Sequence, residues 1–124
     1  MQKKTLNKKE IRALEMIGFL FLNLGVVRKA ESTINAILVV DPNNSWAFYA
    51  RPILYFLKED YESAIYYADI VLQMKKIDYD LLEIKKLKAR SLFMLNRQKE
   101  SSKLIEEIKK EIDERIEVEE EPEA

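Results

Sequence analysis

Residues 14–42 read LEMIGFLFLNLGVVRKAESTINAILVVDP, and this stretch decides the fold. Leu14, Ile17, Gly18 and Phe21 step by three and four, the spacing of one face of an α-helix, and Ile11 and Leu24 extend it at either end. Gly25 comes next as a stop, because glycine enters the left-handed turn after a helix at little cost. Ala30, Ile34, Ile37 and Leu38 make a second stripe, so two helices fold back on each other. The first is expected from Asn7 or Lys8 to Leu24 and the second from about Arg28 to Val40. Gly18 is expected to face Ala30, two small residues that let the helix axes approach closely. Asp41-Pro42-Asn43-Asn44 then breaks the chain, and Asn44 or Ser45 caps the next helix.

Slid forward by 34 residues, Phe21 falls on Tyr55 and Ala30 on Ala64. A second hairpin therefore occupies Ser45 to about Lys76, turning at Lys58-Glu59-Asp60. Pro52 stands where Gly18 stood. Proline inside a helix costs about 3 kcal/mol, so either a kink near Phe48 to Pro52 or a later helix start is expected, the kink being preferred because Trp46 to Leu57 keeps helical spacing. In a third hairpin Ala89, Leu92, Ser101, Ile105 and Ile108 fill the same places at an offset of 37, with the extra residues near Met74 to Asp80 and a turn at Asn96-Arg97-Gln98. Ile108, Ile112 and Ile116 imply a long final helix, with a charged outer face suited to capping a stack.

The 34-residue period and this pattern resemble the tetratricopeptide (TPR) repeat. The expected fold is all-α: a TPR-like helical hairpin solenoid of about three repeats (11–44, 45–78 and 82–116) and six to seven helices. A basic leader over 1–8 precedes the domain at 9–116, and a disordered acidic tail over 117–124 comes after it. Such arrays stack into a curve whose inner face holds another protein.

The composition removes most chemistry. The 124 residues include no His and no Cys, which excludes zinc fingers and histidine-dependent nucleophilic triads. Gly18 and Gly25 are the only glycines, too few for a phosphate-cradling loop. The chain is read as no enzyme, with no catalytic residue, cofactor or metal. No apolar run of about 18 residues and no signal peptide is evident, so a cytoplasmic protein without membrane insertion is expected. Residues 1–29 hold seven Lys and Arg against two Glu, whereas residues 111–124 hold eight acids against Arg115. The basic end is read as solvated and not as a nucleic-acid site, which would pair basic residues with interleaved aromatics.

The expected binding face comes from the stack. The first helix of each hairpin lines the concave side, with Arg12, Glu15, Phe19, Leu22 and Asn23 from the first, Trp46, Tyr49, Ile53, Phe56 and Leu57 from the second, and Glu83, Lys86, Arg90, Phe93 and Met94 from the third. The apolar members, Phe19, Leu22, Trp46, Tyr49, Ile53, Phe56, Leu57, Phe93 and Met94, form the candidate partner-binding groove. The middle helix is apolar on both faces and must be covered on both. An amphipathic helix suits such a groove. The final helix, a second copy or a different rotation of the middle helix are the alternatives.

The combination of a basic leader, Leu14, Gly18, Phe21, Leu24-Gly25, Ala30, Leu38, Asp41-Pro42, Leu57 and Ala64 resembles the small TPR-type chaperones of bacterial type III secretion, over Leu6 to about Ile108. Within them it is most similar to those escorting early export substrates, such as the needle subunit or the small export-gate-associated protein. The resemblance implies an ATP-independent escort that keeps a partly unfolded protein client soluble and export-competent, with a second chaperone subunit or self-association left open. The other reading is a constitutive TPR scaffold or adaptor joining folded proteins.

Overall fold

The computed structural model describes residues 5–120 and, among them, six α-helices: α1 (Lys8–Asn23), α2 (Val27–Val40), α3 (Ser45–Leu57), α4 (Tyr61–Leu72), α5 (Leu81–Met94) and α6 (Gln98–Glu120). Local chemistry sets their starts. The Asn7 side chain accepts from the Glu10 amide at 2.9 Å while the Glu10 carboxylate accepts from the Asn7 amide at 3.2 Å, a reciprocal capping box. Asn44, Asp60 and Asp80 cap α3, α4 and α5 by accepting the amides of Ala47, Ser63 and Leu82. The Asn44 cap is buried, and its side-chain amide also donates to Glu15 at 3.0 Å, which ties α3 to α1.

The helix ends repeat as regularly as the sequence does. Gly25, Glu59 and Asn96 all take positive φ, at 71°, 61° and 63°. Behind them Val26, Asp60 and Arg97 donate to the carbonyls of Phe21, Tyr55 and Leu92 at 2.9, 3.0 and 2.9 Å. These are three copies of one C-terminal motif, spaced by 34 and then 37 residues as the sequence offset requires.

Adjacent helices pack as hairpins, giving the TPR-like all-helical stack. In addition α3 touches both α1 and α5, whereas α2, α4 and α6 do not touch one another among the described residues. The first-helix layer is therefore the tighter one, and the stack curves toward it. Each second helix is sealed by the first helix of the next hairpin. Ala30, Ile34 and Ile37 of α2 are closed over by Trp46, Ala47, Ala50 and Leu54 of α3, and Ala68 and Val71 of α4 by Ile84 of α5. The last hairpin has only its own cluster of Leu82, Ala89 and Ile108.

Several expectations need correction. A Cβ on Gly18 would meet the Trp46 ring at 2.6 Å and Thr33 at 3.3 Å, so this glycine makes room for the next hairpin's tryptophan rather than for Ala30. The close small-residue contact is seen in the third hairpin, where the Ser101 hydroxyl donates to the Ala89 carbonyl at 2.9 Å. The later start weighed for the middle helix is not found: α3 begins at Ser45 and holds the buried Pro52 inside it, as the helical spacing of Trp46 to Leu57 implied. Beside it the Arg51 guanidinium lies between the rings of Phe48 (4.9 Å) and Tyr67 (4.4 Å), pinning α3 to α4. α6 stays helical through Glu120, taking in the start of the segment expected to be a disordered tail. Residues 1–4 of the expected leader and residues 121–124 lie outside the described part. No helix of the described residues is long and apolar enough to cross a membrane.

Two substitutions check these contacts. Glu59→Gly relieves a left-handed residue that carries a Cβ and raises stability by about 0.5–1 kcal/mol in urea unfolding, whereas Glu59→Val lowers it. Gly18→Leu drives a side chain into Trp46, lowers stability by about 1–3 kcal/mol and shifts the emission of this single tryptophan. An unchanged spectrum and midpoint would remove Trp46 from that contact.

Candidate functional site

The nine apolar residues expected to line one groove do not share one surface. Leu22 is 8% exposed and Trp46 7%, and both belong to the first core cluster. Ile53 packs against the first and second clusters at once. Tyr49 is taken up by the chain itself: its ring stacks on Tyr79 at 4.9 Å and its hydroxyl donates to the Asp80 carbonyl at 3.1 Å. These four are corrections to the groove. For Trp46, Tyr49 and Ile53 this arises from an α3 that is apolar all round, and whose core-facing and outward positions the sequence could not separate, whereas Leu22 of α1 is covered by the residues of α2 and α3 in the first cluster. Leu57 is exposed but lines neither of the two apolar clefts.

The segment between α4 and α5 closes the middle of the concave layer. Tyr79 packs against the first core cluster as well as on Tyr49, and burial together with the Glu15 and Asp78 carboxylates holds its hydroxyl pKa above the ordinary value. The Tyr49 hydroxyl is raised for the same first reason, burial, with Glu83 and Asp80 adding to it. Asp80 ties the segment down. It caps α5, offers its carbonyl to Tyr49, and pairs both carboxylate oxygens with Arg115 of α6 at 3.2 Å each. Arg115 and the Leu82 amide hold the Asp80 carboxyl below the ordinary carboxylate range. Residue spacing gave no sign of Tyr79, because it sits in the inserted segment outside any helical period.

Two apolar clefts flank this closed middle. One, of about 590 Å³, lies on α1 and is lined by Arg12, Glu15, Met16, Ile17, Phe19, Leu20 and Trp46. The other, of about 510 Å³, lies at the far end of the stack. Its walls are Lys86, Ala89, Arg90, Phe93 and Met94 of α5 and Ser101, Ile105 and Ile108 of α6, and Phe56 and Tyr61 close one end. Here the structure brings together Phe56, Phe93, Met94, Lys86 and Arg90 from the expected groove and adds Ile105, which the sequence placed in the core.

Ile105 shows what this second cleft is. Its counterparts in the earlier hairpins, Ile34 and Ala68, are 0% exposed because α3 and α5 lie over them, whereas Ile105 is 49% exposed. The cleft is the berth that a further first helix would fill. α6 thus carries exposed apolar residues, Ile105, Ile116 and Val118, beside the charged outer face expected of it, on which Glu106, Glu107, Lys109 and Lys110 are exposed.

Of the polar groups in the berth, the Ser101 hydroxyl donates to the Ala89 carbonyl. Lys86 is paired with Glu83 at 3.1 Å, and Tyr61 packs edge-on against Phe56. Among the described residues no group of three or more His, Cys, Asp or Glu could hold a metal ion. No protein-family model matches the chain, and no curated protein matches it.

The Asp80 knot gives a pH-dependent outcome. Because the folded-state pKa is depressed, its stabilisation is full above the ordinary carboxyl value and is lost as pH falls through the lowered one. Asp80→Asn keeps a capping oxygen but loses the charge. With both partners half-exposed, it costs about 0.2–1 kcal/mol at neutral pH, and the gap to the parent closes in acid. Thermal unfolding of both proteins as a function of pH reads this directly.

Proposed function

We propose that the protein is a non-catalytic holder of another protein: it seats an amphipathic helix of a client in the berth between α5 and α6. The observation that carries the reading is the exposure of Ile105 at a position that the same chain buries completely in both earlier hairpins. A helix from outside restores the missing layer. Phe56, Phe93, Met94 and Ile105 offer it the apolar floor, and Lys86 and Arg90 at the edge favour a client with acidic residues flanking its apolar stripe. The resemblance to type III secretion chaperones supports the finer form of the proposal, a cytosolic escort that keeps an export substrate soluble until it leaves the cell. An apolar, partly unfolded client fits an open apolar berth better than the polar rims by which folded proteins meet.

Recovering partners from the cell of origin with the parent chain and with Phe93→Ala/Ile105→Ala tests this. The double variant keeps parental helicity, because both side chains are exposed, and loses at least about 2 kcal/mol of client affinity, roughly thirtyfold. The recovered client, made alone, aggregates, and co-expression with the parent chain keeps it in the soluble fraction. A client that is folded and soluble alone supports the scaffold reading. Undiminished binding to the double variant overturns the berth.

A further inference from the structure

Among the described residues the stack is open at both ends, and the two open ends are complementary. Met16 and Leu20 of α1 stand where Ala50 and Leu54 stand on α3. The α3 pair is 1% and 2% exposed because it lies on the preceding hairpin, whereas Met16 is 68% and Leu20 54% exposed. α1 therefore presents the face with which a first helix covers its predecessor, and α5–α6 presents the berth that such a helix covers. Charge matches in the same register. In the stack a first helix runs antiparallel to the second helix it covers, so the start of α1 would meet the end of α6. The start of α1 carries exposed Lys8, Lys9 and Arg12, and the end of α6 carries exposed Asp113, Glu114 and Glu117.

We propose that, without client, α1 of a second copy fills the berth, stacking chains head to tail. Met16 and Leu20 of one copy lie on Ile105 and Phe93 of the next, and the basic first turns of α1 lie along the acidic end of α6. Such a contact is heterologous: each copy keeps one free α1 and one free berth, so association continues beyond a dimer unless it closes into a ring. Client and α1 compete for one surface, and self-association holds the apolar berth covered until a client arrives. That regulatory consequence rests on the proposed function, but the contact itself does not.

Sedimentation of the protein alone tests the contact. The mean mass of the parent chain rises with concentration past that of a dimer or to a closed ring. Met16→Glu/Leu20→Glu and Phe93→Glu/Ile105→Glu, each on exposed positions and each checked for parental helicity, are monomeric alone. Mixed, they form a one-to-one dimer and nothing larger, because only one intact α1 meets one intact berth. Serine at the same positions replaces glutamate in any variant that loses helicity. A parent chain that stays monomeric, either variant self-associating alone, or a mixture that stays monomeric overturns the proposal. A monomeric parent that nevertheless loses its client on Phe93→Ala/Ile105→Ala would leave the function standing, and head-to-tail association with undiminished client binding would do the reverse.

Discussion

A two-helix hairpin in this protein has more apolar surface than it can bury by itself, and the rest of the structure answers that shortage. α2 and α4 each turn one apolar stripe onto their own partner helix and hold a second toward the next hairpin. Burial of Ile34 or Val71 is favourable only once the next hairpin's first helix arrives, at about 25 cal/mol for each Å² of apolar surface removed from water. Stability is thus a property of neighbouring pairs. The small residues serve the same end. Gly18 clears space for Trp46, and Ala30, Ala64 and Ser101 are buried at the same place in each hairpin.

The three extra residues before the third hairpin change the inner surface without disturbing the stack. They place Tyr79 against Tyr49 and Asp80 at a junction of α3, α5 and α6. A chain with a strict 34-residue period would leave Tyr49 and its neighbours open on the concave side. Here the chain supplies its own cover, and the apolar surface left free is displaced to the two ends. Lys88 of α5 pairs with Asp69 of α4 at 2.6 Å and Lys85 with Glu111 of α6 at 3.3 Å, so α5 is tied to the helix on either side of it while the outer face of the last hairpin stays apolar.

The hairpins were legible because two independent signals agreed: the stripe spacing within helices and the 34-residue offset between them. The turns were partly legible. Gly25 announced its left-handed turn, Asn96 tolerates one, and Glu59 gives no such signal and is held there by the bonds around it. The site was poorly legible for a definite reason. Between Trp46 and Leu57 nearly every position is apolar, so periodicity finds the helix but not its rotation. Trp46, Tyr49 and Ile53 face outward only on one choice of that rotation. Ile105 is hidden from a pattern reading for the opposite reason: its spacing matches Ile34, and what differs is that no further helix covers it among the described residues, which no local pattern contains.

That difference separates a finished repeat array from an unfinished one. A terminal helix that only capped the stack would carry polar residues at the positions of Ile105, Ile116 and Val118. Instead α6 keeps the apolar residue that an internal helix needs, and α1 keeps Met16 and Leu20 at the positions where an internal first helix meets its predecessor. Large exposed apolar side chains grouped at two complementary ends are a liability in an isolated chain. They are coherent if the stack continues beyond the described residues. A helix laid on Phe93 and Ile105 would continue the order in which α3 covers α2 and α5 covers α4, and that continuity is what favours a helix as the element proposed for the berth.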